Sequence, residues 1–200
     1  MSDENTLRVY DVKAQEYAEL TDGVVNDPDL TCFMNALPKR GLILDLGCGP
    51  GHTADRMAQH GFAVEATDAS SEMVKIANQV QGVIARQETF DDLHRIEHYD
   101  GIFANFSLLH AQRDAVPAHL TQITRALKAG GIFHIGMKTG SGEKRDRIGR
   151  HYCYFTEEEL EAMLIENGHT VIHRNHGSDL GLDGVMAEWV VLQSRKNEDA

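Results

Sequence analysis

Leu42-Ile43-Leu44-Asp45-Leu46-Gly47-Cys48-Gly49-Pro50-Gly51 is an apolar run that passes at once into a glycine-rich turn. Leu42 to Leu46 suits a strand buried on both faces. The glycines that follow let the backbone turn tightly and let a ligand approach it more closely than a side chain would allow. Pro50, with its fixed φ and missing N–H, suits the first turn of a helix. The reading is strand, turn, helix, with the free N–H groups of the helix turned toward an anionic ligand group.

Outward from this stretch the chain alternates. His52–His60 reads as a helix stopped by Gly61, and Phe62–Thr67 as a second strand ending at Asp68. Ser70 reads as the N-cap of a helix from Ser71 to about Val80. Val83–Arg86 is a short third strand, followed by a loop or helical turn over Gln87–Asp92. Tyr99–Phe106 is the fourth strand and Ser107–Gln112 a loop. Asp114–Leu127 is a helix, stopped by Lys128-Ala129-Gly130-Gly131, and Ile132–Lys138 is the fifth strand. Thr139–Arg150 reads as a polar, glycine-rich loop. Thr156-Glu157-Glu158-Glu159 caps and starts another helix. Thr170–Asn175 and Ala187–Ser194 are the last strands. Upstream, Tyr10–Leu20 has helical composition, with Tyr10, Ala14, Tyr17 and Ala18 on one side. Asn26-Asp27-Pro28-Asp29 signals a turn and a helix start, and Leu30–Leu37 a short helix.

Strands alternating with helices predict parallel strands joined by right-handed crossovers. The fold class is therefore α/β, a three-layer α/β/α sandwich around a seven-stranded, mostly parallel sheet. The last two strands have no helix pattern between them, which predicts a hairpin and one antiparallel edge strand. The chain of 200 residues is expected to be a single domain over 1–200, with a helical lid at 1–38 and the core at 39–196. A frayed tail is expected over Asn197–Ala200.

The formal charge of -12 argues against a nucleic-acid backbone or an anionic membrane as partner, because both need a basic surface. Cys32, Cys48 and Cys153 are far apart and odd in number, which fits a reduced, cytoplasmic setting. The acidic, polar N-terminus is not a signal peptide, and no apolar run is long enough to cross a membrane.

Ligands of such sheets bind beyond the carboxyl ends of the strands. Asp68 lies at such an end, about 20 residues after the turn, where an acid can take ribose hydroxyls. A dinucleotide turn reads GxGxxG, and here GxGxG is followed by His52 in the place of the last small residue. Asp45 would repel a pyrophosphate but suits an ammonium or a sulfonium.

On these residues the sequence resembles the class I S-adenosylmethionine-dependent methyltransferases, in particular small bacterial members that act on small molecules, some grouped with tellurite-resistance proteins. LDLGCGPG (Leu44–Gly51) resembles the first motif of that family and TDASSEMV (Thr67–Val74) the second. YDGIF (Tyr99–Phe103) and LKAGGIF (Leu127–Phe133) resemble the stretches at the fourth and fifth strands, and YDxxAxxY (Tyr10–Tyr17) the leading helix of many members. The resemblance implies a Rossmann-like fold and S-adenosylmethionine as cofactor, with S-adenosylhomocysteine as product. It implies that Asp45, Gly47 and Gly49, with Cys48 between the glycines, line the methionine end. It puts Asp68 at the ribose with Ala69 and Met73 beside it, and Glu88, Thr89 and Phe90 at the adenine. The adenine site in many members reads Asp-Ala, so Glu88-Thr89 is a departure. Asn105 falls near the methionine carboxylate or ammonium.

Methyl transfer from a sulfonium needs chiefly a positioned acceptor, and a base only where the acceptor must lose a proton. His110, just past the fourth strand, is the candidate base, and Tyr17 the second candidate catalytic residue. Lys138, Arg150 and Tyr152 are candidates to surround the acceptor, although Arg150 is expected to be a solvated loop charge. The [DN]PP[YFW] signature of adenine- and glutamine-methylating enzymes is replaced by Asn105-Phe106-Ser107-Leu108. The expected partner is a small-molecule acceptor, and the expected assembly a monomer or homodimer. An NAD-type oxidoreductase is disfavoured by the turn, and a cofactor-binding module without turnover is the other alternative. His94-Arg95-Ile96-Glu97-His98 matches the zinc signature HxxEH, but there is little room for the helix it needs, so no metal is expected. His173 and His176, on a strand pattern, point to opposite faces and are not a metal pair.

Overall fold

In the computed structural model of the protein, residues 3–21 and 27–199 are described. Helix α1 (Glu4–Thr21) and helix α2 (Pro28–Asn35) precede β1 (Leu42–Leu46). The sequence then runs through α3 (His52–Gln59), β2 (Ala63–Asp68), α4 (Ser71–Ala77), β3 (Ala85–Gln87), β4 (Tyr99–Asn105) and α5 (Val116–Ala126). It continues with β5 (Leu127–Lys138), β6 (Glu143–Arg145), β7 (His151–Cys153), α6 (Glu157–Glu166), β8 (His169–Leu180) and β9 (Met186–Lys196). Asn26 and Ala200, read above as parts of a turn and of a tail, lie outside the described residues.

The helix starts follow from their caps. Asp27 accepts the N–H groups of Asp29 and Leu30 at the head of α2, and the Ser70 hydroxyl accepts from Met73 at the head of α4. Thr156 and Glu159 close a reciprocal capping box on α6. Pro50 is not in a helix: α3 starts at His52 with Gly51 as its cap, so Pro50 belongs to the turn.

The strand order is β3-β2-β1-β4-β5-β9-β8, with β1 pairing parallel to β2 and β4. The sheet is mostly parallel with one antiparallel strand, as the alternation predicts, but that strand is not at the edge. It is β9, inserted between β5 and β8, which leaves β8 as a parallel edge. The reason is legible in the residues. Val190, Val191 and Leu192 are buried together, as an inner strand requires, whereas β8 alternates between half-buried and exposed positions. The loop expected over Thr139–Arg150 holds a second departure, because β6 lies in it and pairs with β7 in a small antiparallel hairpin. At the far end, Asn197 is tied by its N–H to the Gly168 carbonyl and by its side chain to Thr170, so fraying does not begin there.

One face of the sheet packs Ile43, Phe103 and Ile132 against Phe33 and Met57 of α2 and α3. The other packs Tyr99, Ile102 and Phe133 against Leu120 and Ile123 of α5 and Leu160 and Leu164 of α6. Each such side chain, fully buried, contributes about 1.5–3 kcal/mol. His134 and His169 sit in these layers almost without exposure. Burial holds His134 at about 3 and His169, beside Lys196, at about 4. The unfolded chain takes up protons near pH 6.5 and the folded chain only far below it. Stability is therefore fully present above pH 6.5 and lost as pH falls. Urea unfolding at pH 5 should give about 2 kcal/mol less stability than at pH 7 for each buried histidine. The drop should shrink in His169→Asn, and a variant with an undiminished drop would remove His169 from this account.

Candidate active site

β1 and β4 end side by side, and the turn after β1 opens a cleft between them. The Ser107 hydroxyl donates to the Leu46 carbonyl at 2.7 Å, and the N–H groups of Gly47 and Cys48 both donate to the Thr67 carbonyl at the end of β2. Gly47 has φ +80, and a Cβ there would lie 2.3 Å from the Cβ of Ser107. No other residue fits that point. The main cleft opens onto about 730 Å³ of empty space between Gly47, Asp68, Phe90, Tyr10 and His110. A second cavity, lined by Asp45, Cys48, His52 and Arg56, meets it at Tyr17, Gly47, Gly49 and Asn105.

Two carboxylates dominate this junction. Asp68 accepts the Gly49 N–H at 2.9 Å and the Ser70 N–H at 2.8 Å. Burial raises its pKa against the pull of those two donors. Asp45 is 3% exposed, and its Oδ2 has no hydrogen-bond partner among the described residues. Burial first, and the charge of Asp68 second, push Asp45 up to about 7, opposed by the Ala54 N–H. A buried carboxylate left half-unpaired is costly to the fold and is a partner for a cationic ligand group.

The far end of the cleft is closed by α1 and the β6–β7 hairpin. The Tyr10 hydroxyl lies 2.7 Å from His110 Nε2 and accepts from Arg150 Nη1 at 2.9 Å. His110 Nδ1 lies 2.7 Å from the His151 carbonyl, which can only accept, so Nδ1 carries the proton and Nε2 holds the lone pair. Burial, with Arg150 and Lys138 adding to it against the His151 carbonyl, depresses His110 to about 3. Arg150 is itself buried, paired to Asp146 at 2.8 Å, with Tyr10 and Tyr152 rings beneath its guanidinium. The Asp3–Arg145 ion pair and the His151 N–H donated to Thr6 Oγ1 fasten the start of α1 to the same hairpin.

A profile of the methyltransferase domain family matches residues 24–174. The chain belongs to this family. The methyltransferase domain is 30% identical over 136 residues to a Bacillus subtilis (strain 168) protein named "Putative methyltransferase YqeM". That match covers 62% of this chain and 53% of the relative, so the chain spans about half the length of the curated protein it matches. Among solved structures it is similar to 1,6-didemethyltoxoflavin-N1-methyltransferase of Burkholderia thailandensis, determined with 1,6-didemethyltoxoflavin and S-adenosylhomocysteine bound. The TM-score is 0.78 at 22% identity, over 96% of this chain and 88% of that one. TehB from Haemophilus influenzae gives 0.74 at 16% identity, over 92% and 67% of the two chains. The [4+2]-cyclase SpnF gives 0.72 at 17% identity, over 95% and 94%. At such identities the likeness is one of fold, and it includes a protein named for a different reaction.

Within the methyltransferase domain, Gly47, Gly49, Asp68, Ala69, Met73, Glu88, Thr89, Phe90 and Asn105 all line the main cleft, together with Tyr17 and His110. Asp45 and Cys48 line the adjoining cavity instead. Glu88 is steadied by Arg86 at 2.8 Å, and Thr89 by Asp92. Lys138 does not reach the cleft, because it faces a different cavity with its ammonium over the Tyr152 ring. Arg150 is the clearest correction, being 2% exposed rather than solvated. Asp146 accepts from the Ile148 and Arg150 N–H groups and from Arg150 Nε, folding the loop back onto α1. An Asp four residues before an Arg, with glycine between, was the available signal. Tyr10 was legible only as a residue on a helix face, and its hydroxyl stands at the centre of the network.

The HxxEH stretch is not helical, Glu97 has φ +44, and His98 lies 3.6 Å from Glu65, so His94 and His98 share no helix face. His173 bonds Asp29 of α2 and His176 bonds Glu157 of α6, on opposite faces of β8 as expected.

The Asp45 carboxylate gives a signed prediction. Its raised pKa means that the folded state holds a proton between pH 4 and 7 that the unfolded state has lost, and the penalty grows as pH rises. Asp45→Asn should raise the stability of the ligand-free protein by about 4 kcal/mol at pH 8 and by little at pH 4. Thermal melts at the two pH values check this, and a destabilised variant at pH 8 would show the carboxylate to be paired.

Proposed function

We propose that this methyltransferase domain binds S-adenosylmethionine across the two joined cavities and methylates a small-molecule acceptor at the Tyr10 and His110 end. The observation that carries the reading is the buried Oδ2 of Asp45, without a partner among the described residues, in the cavity that adjoins the cleft of the Asp68 carboxylate. Asp45 offers a counter-charge to an ammonium, Asp68 two acceptor oxygens to ribose hydroxyls, and Glu88, Thr89 and Phe90 a wall for adenine. When bound, the sulfonium supplies an activated methyl group, so the chain's part is to orient an acceptor and exclude water.

His110 and Tyr17 remain the catalytic candidates, in sharper roles. Tyr17 stands where the two cavities meet and lines both. The lone pair of His110 Nε2 is held by the Tyr10 hydroxyl, which gives a proton leaving the acceptor a path through Tyr10 to His110. The depressed pKa makes His110 a weak base. The site therefore suits an acceptor whose proton leaves easily, or one with none to lose. Support for a small molecule comes from the acidic charge of the chain and from the neighbour determined with 1,6-didemethyltoxoflavin bound. Cys32, Cys48 and Cys153 are all free thiols, which supports a reducing compartment such as the cytoplasm. Among the described residues no helix is long and apolar enough to cross a membrane.

Isothermal titration with S-adenosylhomocysteine should show saturable binding, weakened about tenfold or more in Asp68→Ala. No binding by the wild-type protein at high micromolar concentration would sink the reading. A panel of metabolite acceptors with a homocysteine-coupled readout then separates an enzyme from a binding module. In that assay Tyr10→Phe should slow turnover about tenfold or more with an acceptor that carries a proton.

A further inference from the structure

We infer that His134 is a positioning residue that aims the side-chain amide of Asn105 into the cleft as a hydrogen-bond donor to the carboxylate of the cofactor's methionine end. The inference rests on the cofactor reading above and adds a direction to it, since Asn105 alone would suit either end of an amino acid.

The direction is set at one backbone carbonyl. Gln193 Nε2 lies 2.6 Å from the Asp29 carbonyl oxygen, which can only accept, so this atom is the amide nitrogen of Gln193. The same nitrogen lies 3.2 Å from His134 Nδ1 and donates there, so Nδ1 carries the lone pair. The proton of the neutral ring is then on Nε2, which lies 3.0 Å from Asn105 Oδ1 and donates to it. Asn105 thus spends its oxygen inward. Its NH2 group has no partner among the described residues, and the residue lines both cavities where they meet.

The ring cannot turn away from this task. His134 has no solvent exposure and stacks on Phe103 with centroids 3.9 Å apart and planes 21° from parallel. Burial lowers its pKa to about 3, so the ring is neutral near neutral pH, where the Gln193 contact selects one tautomer. The neighbouring strand makes room for the arrangement, because a Cβ on Gly136 would lie 2.5 Å from Asn105 Oδ1. Two independent features, a buried donor and a missing side chain, therefore hold one amide in place. A donor pair at that point, lining the same cavity as the partner-free Oδ2 of Asp45, matches a zwitterion: carboxylate toward Asn105, ammonium toward Asp45.

The test compares two ligands by isothermal titration. S-adenosylhomocysteine has the amino-acid end, and methylthioadenosine is the same nucleoside thioether without it. His134→Phe should weaken S-adenosylhomocysteine about tenfold, the worth of one charge-assisted hydrogen bond, and leave methylthioadenosine within about twofold. His134→Gln, which restores a donor, should recover most of the loss. Gly136→Ala leaves His134 in place and presses its Cβ first on Asn105 Oδ1 and then on the Phe106 N at 3.2 Å, and it should reproduce the selective loss, so the idea stays testable if a His134 variant does not fold. Equal weakening of both ligands would mean a merely structural role and would overturn the proposal, as would unchanged S-adenosylhomocysteine affinity. Failure of the wild-type protein to bind either ligand would instead overturn the cofactor reading beneath it.

Discussion

The hydrogen bond from Ser107 to the Leu46 carbonyl joins the ends of β1 and β4, and the site depends on it. It holds the two strand ends at a fixed separation just where the parallel ladder runs out. Gly47 is the residue that must thread past it, and only a residue with no Cβ can do so at φ +80. Everything downstream is referenced to that point. Gly49 offers its N–H to Asp68, Asn105 ends β4 one residue before the strained Phe106, and α3 begins beyond the turn. Phe106 has φ +53, a conformation that costs of order 1–3 kcal/mol in a residue with a side chain. That strain stands at the mouth of the cleft, and the ladder of β4 with its neighbours holds it there.

Helix α1 is fastened over this opening by polar contacts at several points, besides burying Ala14 and Ala18. At its start Asp3 pairs with Arg145, and Arg145 beside it holds the Asp3 carboxyl well below the usual range. In its middle Asp11 accepts from the Ser70 hydroxyl, which is also the cap of α4. Near its end the Ala18 carbonyl is met by His52 of α3. His52 in place of a small third residue argued against a dinucleotide, and the ring now has a positive role as a tether. Exposed polar fastenings of this kind each contribute little to stability on their own.

The fold was largely legible because its signals are local. An apolar run before glycines, caps at Asp27, Ser70 and Thr156, and the strand–helix alternation each act over a few residues. The position of β9 was less so, since hairpin membership says nothing about which strand faces the sheet. The apolar run Val190–Leu192 of β9, against the alternation of β8, did carry that information. The residues proposed for the cofactor come together along the cleft and its neighbour because most of them follow strand ends directly. The burial of Arg150 and the place of the Tyr10 hydroxyl were not legible for a physical reason: both depend on a contact across 140 residues, made only when the β6–β7 hairpin folds onto α1. The one local cue, Asp146 four residues before Arg150 with a glycine between, does not by itself tell burial from solvation.

The two buried histidines at the site show how a backbone carbonyl can decide chemistry. His110 and His134 are both held neutral by burial, yet they hold opposite tautomers. The His151 carbonyl takes the proton of His110 at Nδ1 and leaves a lone pair at Nε2 toward Tyr10. The Asp29 carbonyl, acting through Gln193, leaves a proton at His134 Nε2 toward Asn105. One end of the cleft is thereby furnished with a hydrogen-bond acceptor relayed through a hydroxyl, and the other with a donor relayed through an amide. Near neutral pH neither ring charges, so both assignments hold there. Since backbone carbonyls cannot reverse their role, the polarity of the site is built into the strand and helix positions, and side chains only transmit it.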